Sequence, residues 1–239
     1  MVQGSVEVPT EHGGDDHRTA DEYAATRLAL LADRYVEPPA LCAGTVGAQS
    51  VSLDELVGAG ALTVHESPPT VAAGTGGVEM LSAKDIRVGR RASKNGDASV
   101  PGAVTSEPGD VLVALVGGPA VVRVSTESVL CGPGVLVLRG KPAVIDPYLL
   151  AGVLRAAADI ADGKVHDLYS VRFPRVPINE QRRRGAAVAE LLEFDATWRR
   201  QRVAVEQLVR TGLAGLATGR LDVSPAVIDG TARPRARLG

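Results

Sequence analysis

Aromatic side chains make up only 3% of this 239-residue chain, with a single Trp. Stacking platforms for single-stranded nucleic acid need several such rings, so that mode of binding is not expected. Charge of one sign is not in excess either. The formal net charge is −2, which argues against a protein that holds nucleic acid by bulk charge alone. The two cysteines, Cys42 and Cys131, stand far apart with no metal-like neighbours, and they read as structural or incidental thiols of a cytosolic protein. No apolar run approaches a membrane span, and the first twenty residues lack the apolar segment of a signal peptide. The expected setting is cytoplasmic, with no membrane partner.

Several kinds of chemistry are missing as well. No glycine-rich turn is followed by Lys-Ser or Lys-Thr, so there is no phosphate-binding loop. Val57-Gly58-Ala59-Gly60 follows a helical stretch rather than a strand and reads as a helix stop. Asp146-Pro147-Tyr148 is one proline short of the Asp-Pro-Pro-Tyr loop with which amino-methyltransferases hold an extruded adenine, and an N-cap suffices to explain it. His65 and His166 have no local partners for nucleophilic catalysis. His12 and His17 flank Asp15 and Asp16 in a polar N-terminal stretch, which reads as a solvated tail rather than a metal site. No catalytic residue, cofactor or metal is assigned.

What is present is a long proline-free stretch. Phe173-Pro174-Arg175-Val176-Pro177 excludes a helix before Ile178, because proline fixes φ and restricts the residue before it. Asn179 is the expected N-cap, and the helix is expected to run to Gly219. Ala187, Leu191, Phe194, Trp198, Val205 and Leu208 follow at steps of three and four, with one step of seven across Gln201, and form a narrow coiled-coil-like seam. Gln201 interrupts the seam, and Gly212 and Gly215 weaken its end. At about 1.5 Å per residue such a helix is roughly 60 Å long, more than one small domain covers. Either it packs against another helix, in this chain or in a partner, or it folds back on its own domain.

The rest of the chain predicts an α+β fold: a compact β-rich domain followed by the long C-terminal helix. Residues 1–20 are expected to be a disordered tail, 21–39 a short helix and linker with Asp21 as cap, 40–177 the domain, 178–219 the helix and 220–239 a second disordered tail. Ser52 and Glu55 have capping-box spacing. Residues 66–77 read as a loop, Val78–Leu81 as a strand, and 84–96 as a basic loop. Pro108-Gly109 suits a type II turn into a buried strand, Asp110 to Val116, which turns at Gly117-Gly118 and returns as Ala120 to Val124. Gly134 to Arg139 is a further strand, Asp146-Pro147 starts a helix to about Asp159, and Leu168 to Phe173 is a final strand.

Three stretches, in order, carry a family resemblance. They are Glu107-Pro108-Gly109-Asp110-Val111-Leu112-Val113; then Leu136-Val137-Leu138-Arg139 with Ile145-Asp146-Pro147-Tyr148-Leu149-Leu150; then Phe173 to Gln181 leading into the long helix. The set resembles the target-recognition domain of type I restriction–modification specificity subunits, a domain also found at the C-terminus of adenine-specific DNA methyltransferases. The resemblance covers residues 45–219. Leu31 to Val36 is similar to the segment that joins methyltransferase and recognition domains in fused enzymes. Absent are the methyltransferase domain itself and the second recognition domain and second long helix of a complete specificity subunit.

The resemblance implies a domain that reads double-stranded DNA and a helix that docks on a DNA methyltransferase subunit or on a second copy. It implies no catalysis by this chain alone. Within it, Lys84, Arg87, Arg90, Arg91 and Lys94 are the DNA-contact candidates, since arginine grips guanine and lysine anchors phosphate. Leu191, Phe194, Trp198, Val205 and Leu208 are the partner-helix candidates. Arg182, Arg183 and Arg184 read as a solvated face, and Gly109 and Asp110 as structural turn residues. The alternatives are a C-terminal fragment of an adenine methyltransferase, or a helical assembly protein that has lost DNA recognition.

Overall fold

A computed structural model describes residues 13–32, 37–43, 49–72, 77–114, 120–161 and 167–223. The expected Gly117-Gly118 turn, His12 and His166, and most of the 31–36 segment lie outside the described residues, as do the side chains of Asp15, Asp16 and His17. The chain divides into two compact units: residues 36–199, and residues 1–35 together with 200–239.

The first unit is α+β, built on a four-stranded antiparallel sheet ordered β2-β9-β6-β7. Its strands are β2 (Leu62–Glu66), β6 (Val111–Ala114), β7 (Val121–Val124) and β9 (Val135–Gly140). The four residues of β6 are apolar and all buried, because this strand lies inside the sheet and is covered on both faces. On one face Val111, Val113 and Leu138 meet Leu150 and Leu154 of helix α4 (Pro147–Ile160) and Leu53 of helix α2 (Leu53–Gly58). On the other face Leu112, Ala114, Val135 and Val137 meet Leu81, Ile86 and Cys131. Each of the Val, Leu and Ile side chains among them contributes about 1.5–3 kcal/mol on leaving water.

A second small sheet is ordered β4-β3-β8-β5, with β3 (Val78–Leu81), β4 (Lys94–Gly96), β5 (Val104–Thr105) and β8 (Leu130–Cys131). Its β3–β8 pair is parallel. Gly96 is required here by close approach, since a Cβ would lie 2.7 Å from Met80 Sδ and 2.9 Å from Leu130 Cδ2. The ends of the unit are joined by β1 (Ser50–Ser52) and β10 (Arg172–Pro174), which pair Ser50 with Pro174.

Most of the expected signals operate as written. Ser52 and Glu55 form the capping box of α2, and Gly60 closes it at φ +64°. Asp110 N–H donates to Glu107 O at 3.0 Å across the Pro108-Gly109 turn, with Gly109 at φ +94°. Asp146 Oδ1 accepts from Leu149 N–H at 2.8 Å and caps α4.

Four expectations need correction. Residues 84–96 are not a loop: they contain helix α3 (Ala83–Val88) and strand β4. The expected strand from Leu168 is a turn as far as Val171, because Asp167 accepts bonds from Tyr169 N–H and Ser170 Oγ and satisfies the chain locally. The long helix α5 (Ile178–Thr218) starts before Asn179, since Pro177 O already accepts from Gln181 N–H at 3.0 Å. The tail expected over residues 1–20 is helical from Gly13, within α1 (Gly13–Ala32); no proline lies between Pro9 and Pro38 to stop it.

In the second unit α1 meets the C-terminal part of α5. Gln207 Nε2 donates to Glu22 Oε1 at 3.0 Å, and a Cβ on Gly212 would lie 3.0 Å from the Tyr23 ring. A Cβ on Gly215 would lie 2.5 Å from Leu221, whose N–H donates to Gly215 O at 3.1 Å. The two glycines are therefore points of close approach, not only weak points of the helix.

Candidate nucleic-acid interface

One of the five basic candidates, Arg90, binds a buried carboxylate, Asp85. Ser82 caps α3 by accepting from Asp85 N–H, while Asp85 Oδ2 accepts from Ser82 N–H at 3.0 Å and Ser82 Oγ at 2.7 Å. Gly89 ends the helix at φ +68°. Asp85 Oδ1 accepts from Arg90 Nε and from Ser93 Oγ at 2.6 Å, and Arg90 Nη2 donates to Ser93 Oγ at 2.9 Å. Burial pushes the Asp85 carboxyl up, but the bonds from Ser93, Ser82 and Arg90 together outweigh it and hold the group well below its ordinary value.

This arrangement divides the candidates. Arg87 Nη2 donates to Ala114 O at 3.2 Å and ties α3 to β6. Arg90 is held by Asp85. Lys84, Arg91 and Lys94 are exposed and make no side-chain hydrogen bond or ion pair among the described residues. The sequence reasoning missed Arg123, whose Nη1 donates to Arg90 O at 2.8 Å. The signal was its position in the run Val121-Val122-Arg123-Val124, where Val122 and Val124 are buried against the α4 side and Arg123 faces the other way. Ser82-x-x-Asp85 was likewise legible as a capping box.

The motif residues behind the family resemblance have internal work. Arg139 Nε and Nη2 bind the buried Asp110 carboxylate at 3.0 and 2.8 Å, and Nη1 lies 3.0 Å from Glu107. Gln181 Oε1 accepts from Asp146 N–H, and its Nε2 donates to Val144 O and Val176 O. Arg183 and Arg184 pair with Glu180 at 2.7 and 2.8 Å rather than standing as free cations, and these bonds draw the Glu180 carboxyl down to about 2.

Within the first unit, α5 faces its own domain through Gln181, Gly185, Val188, Leu192 and Asp195. Gly152 of α4 lies under Val188, Leu192 packs on the main core, and Arg155 Nη1 reaches Asp195 at 3.2 Å. This row is one residue out of step with the predicted seam, about 100° around the helix. Leu191 and Trp198 therefore remain exposed, Trp198 by 47%, with Phe194 half-buried edge-on to its ring. In the second unit Val205 is exposed and Leu208 half-buried.

Burial pushes the Cys131 thiol up to about 11, and Cys42 is exposed. Among the described residues no group of three or more His, Cys, Asp and Glu is placed to hold a metal ion, and no helix is long and apolar enough to cross a membrane.

The architecture is thus a mixed α+β one with a long C-terminal helix. No family model matches the chain, and no curated protein matches it. Among solved structures, it is similar to the HsdS subunit from Thermoanaerobacter tengcongensis, with 20% identity and a TM-score of 0.47 over 86% of this chain and 53% of that one. It is also similar to a chain from a study of complex assembly and conformational transition of the type I R-M system, with 21% identity and a TM-score of 0.48 over 84% of this chain and 52% of that one. The chain spans about half the length of these solved chains.

Proposed function

We propose that this chain is a DNA target-recognition module of a restriction–modification or adenine-methylation system. It would have no catalysis of its own and would use α5 as a docking arm. One observation carries the DNA part beyond the sequence resemblance. Residues 84–96 hold five basic residues and a single acid before Asp97 follows, and that acid, Asp85, is buried and bonded internally. Toward solvent the segment offers Lys84, Arg91 and Lys94. A chain of net charge −2 can attract duplex DNA only through such local concentration.

The docking part rests on the seam. The helix row that meets its own domain is a different one, and Leu191 and Val205 stay exposed, which supports docking of a second helix along the seam, from a methyltransferase subunit or from another copy.

Binding of a randomised duplex pool across a salt series tests the DNA part. Wild type should bind with a steep salt dependence. Replacing Lys84, Arg91 and Lys94 with alanine should weaken binding and lower the slope by up to about three units, near one per lost phosphate contact. Salt-independent or absent binding by a chain that still self-associates would favour the helical assembly protein.

A further inference from the structure

We infer that Asp85 is a positioning residue for DNA contact, acting through Arg91; this rests on the DNA reading above. Residues 89–93 lie between the end of α3 and the start of β4 and have no regular secondary structure. Their path is set by side chains on both sides of Arg91. On one side, Arg90 N–H donates to Asp85 O at 3.0 Å, its guanidinium binds Asp85 Oδ1, and its carbonyl accepts from Arg123. On the other side, Ser93 Oγ donates to Asp85 Oδ1. Arg91 is bracketed by these anchors while its own side chain makes no such bond.

Asp85 also ties this bracket to the helix through its second oxygen, which binds Ser82. Arg87 and Arg123 in turn fasten the bracket to β6 and β7. The exposed arginine is thus mounted on the four-stranded sheet. A backbone fixed before binding loses less freedom on meeting the ligand, so the mount raises affinity without touching DNA. Arg90, half of whose side chain is exposed, belongs to the mount.

A double-mutant cycle on the full chain, read with a randomised DNA duplex, separates positioning from other roles. Arg91→Ala should weaken binding about ten-fold or more. Asp85→Asn and Ser93→Ala should each weaken it about three- to ten-fold. In the Arg91→Ala background both should have almost no further effect. Hydrogen exchange of the amides of residues 89–94 should accelerate in both variants, with the sheet strands unchanged. Ser93→Ala carries the cycle if Asp85→Asn does not fold. Losses that add to that of Arg91→Ala, or binding unaltered by Ser93→Ala and Asp85→Asn, overturn the inference. If wild type itself fails to bind DNA, the proposed function falls and the inferred contact with it. Hydrogen exchange then still shows whether the bracket exists.

Discussion

The side chain of Gln181, in the first turn of α5, accepts the backbone N–H of Asp146, the N-cap of α4, at 3.0 Å. Its amide also donates to Val144 O at 2.9 Å and to Val176 O at 3.0 Å, and the residue is only 5% exposed. Two stretches of the resemblance, far apart in sequence, are joined by this one side chain. Gln181→Ala leaves the Asp146 N–H and the Val144 and Val176 carbonyls without this partner and should cost about 1–3 kcal/mol, at roughly 1 kcal/mol or less each. Urea unfolding measures it; a midpoint equal to wild type would show that water replaces the amide freely.

Gly185 faces the same cap, and a Cβ there would lie 2.0 Å from Asp146 Oδ1. Glycine to alanine inside a helix ordinarily gains about 1 kcal/mol. Here the clash should reverse the sign, with Gly185→Ala destabilising by about 1–3 kcal/mol. A thermal melt that rises instead would refute the close approach.

Asp110→Asn removes the charge that faces the Arg139 guanidinium and weakens the turn that starts β6. Arg139 is partly exposed, so the loss should fall below that of a fully buried pair, at about 1–3 kcal/mol. Guanidinium unfolding of Asp110→Asn, Arg139→Met and the double variant checks it: the two losses should not add.

Asp85 makes the acid limb of stability steeper. Its folded pKa lies below the ordinary value of 3.8, so the unfolded chain binds the proton more readily. The stabilisation is fully present above about pH 4 and is lost as pH falls through the folded value. Asp85→Asn should be less stable than wild type at pH 7 and should lose less between about pH 4 and pH 2. Parallel curves for the two proteins would exclude Asp85 as the source.

Trp198 and Val205 are each 47% exposed, so replacing both with aspartate buries no charge within the single chain. The variant should stay folded as a single chain, giving up the local contacts of Trp198 such as its edge-on packing with Phe194, yet lose self-association or methyltransferase docking, because a paired seam would bury both carboxylates. Sedimentation, alone and with a candidate methyltransferase, reads this. Wild type that stays monomeric and undocked throughout would end the docking-arm proposal.

The α+β character and the long helix were legible because each rested on local signals: the Pro108-Gly109 turn, the Asp146-Pro147 cap, and Pro177 before forty proline-free residues. Helix α3 was obscured by composition, since Lys84, Arg87, Arg90 and Arg91 drew attention to charge and away from the Ser82/Asp85 cap. Strand β2 was missed because only two apolar residues, Leu62 and Val64, mark its alternation with Thr63 and His65; its pairing with β9 comes from residues some seventy positions away. The division of the basic candidates could not be read locally either, because Arg90 is held in part by Arg123, on another strand. The seam was legible as a row of apolar residues, but the exposure of Leu191 was not, since that depends on Val188 and Leu192 being in the row that meets the domain.

The pairing of β1 with β10 has a kinetic consequence. Ser50 and Pro174 are opposite partners, and Arg172 reaches back to Ser50 across 122 residues of chain. During synthesis β1 emerges early and waits unpaired until β10 follows. Closing so long a loop carries a large entropic cost before any contact rewards it, and such topologies fold slowly. The chain up to β10 thus leaves the ribosome with this clasp open and Val51 without its partner strand, and the clasp closes only as α5 begins to appear.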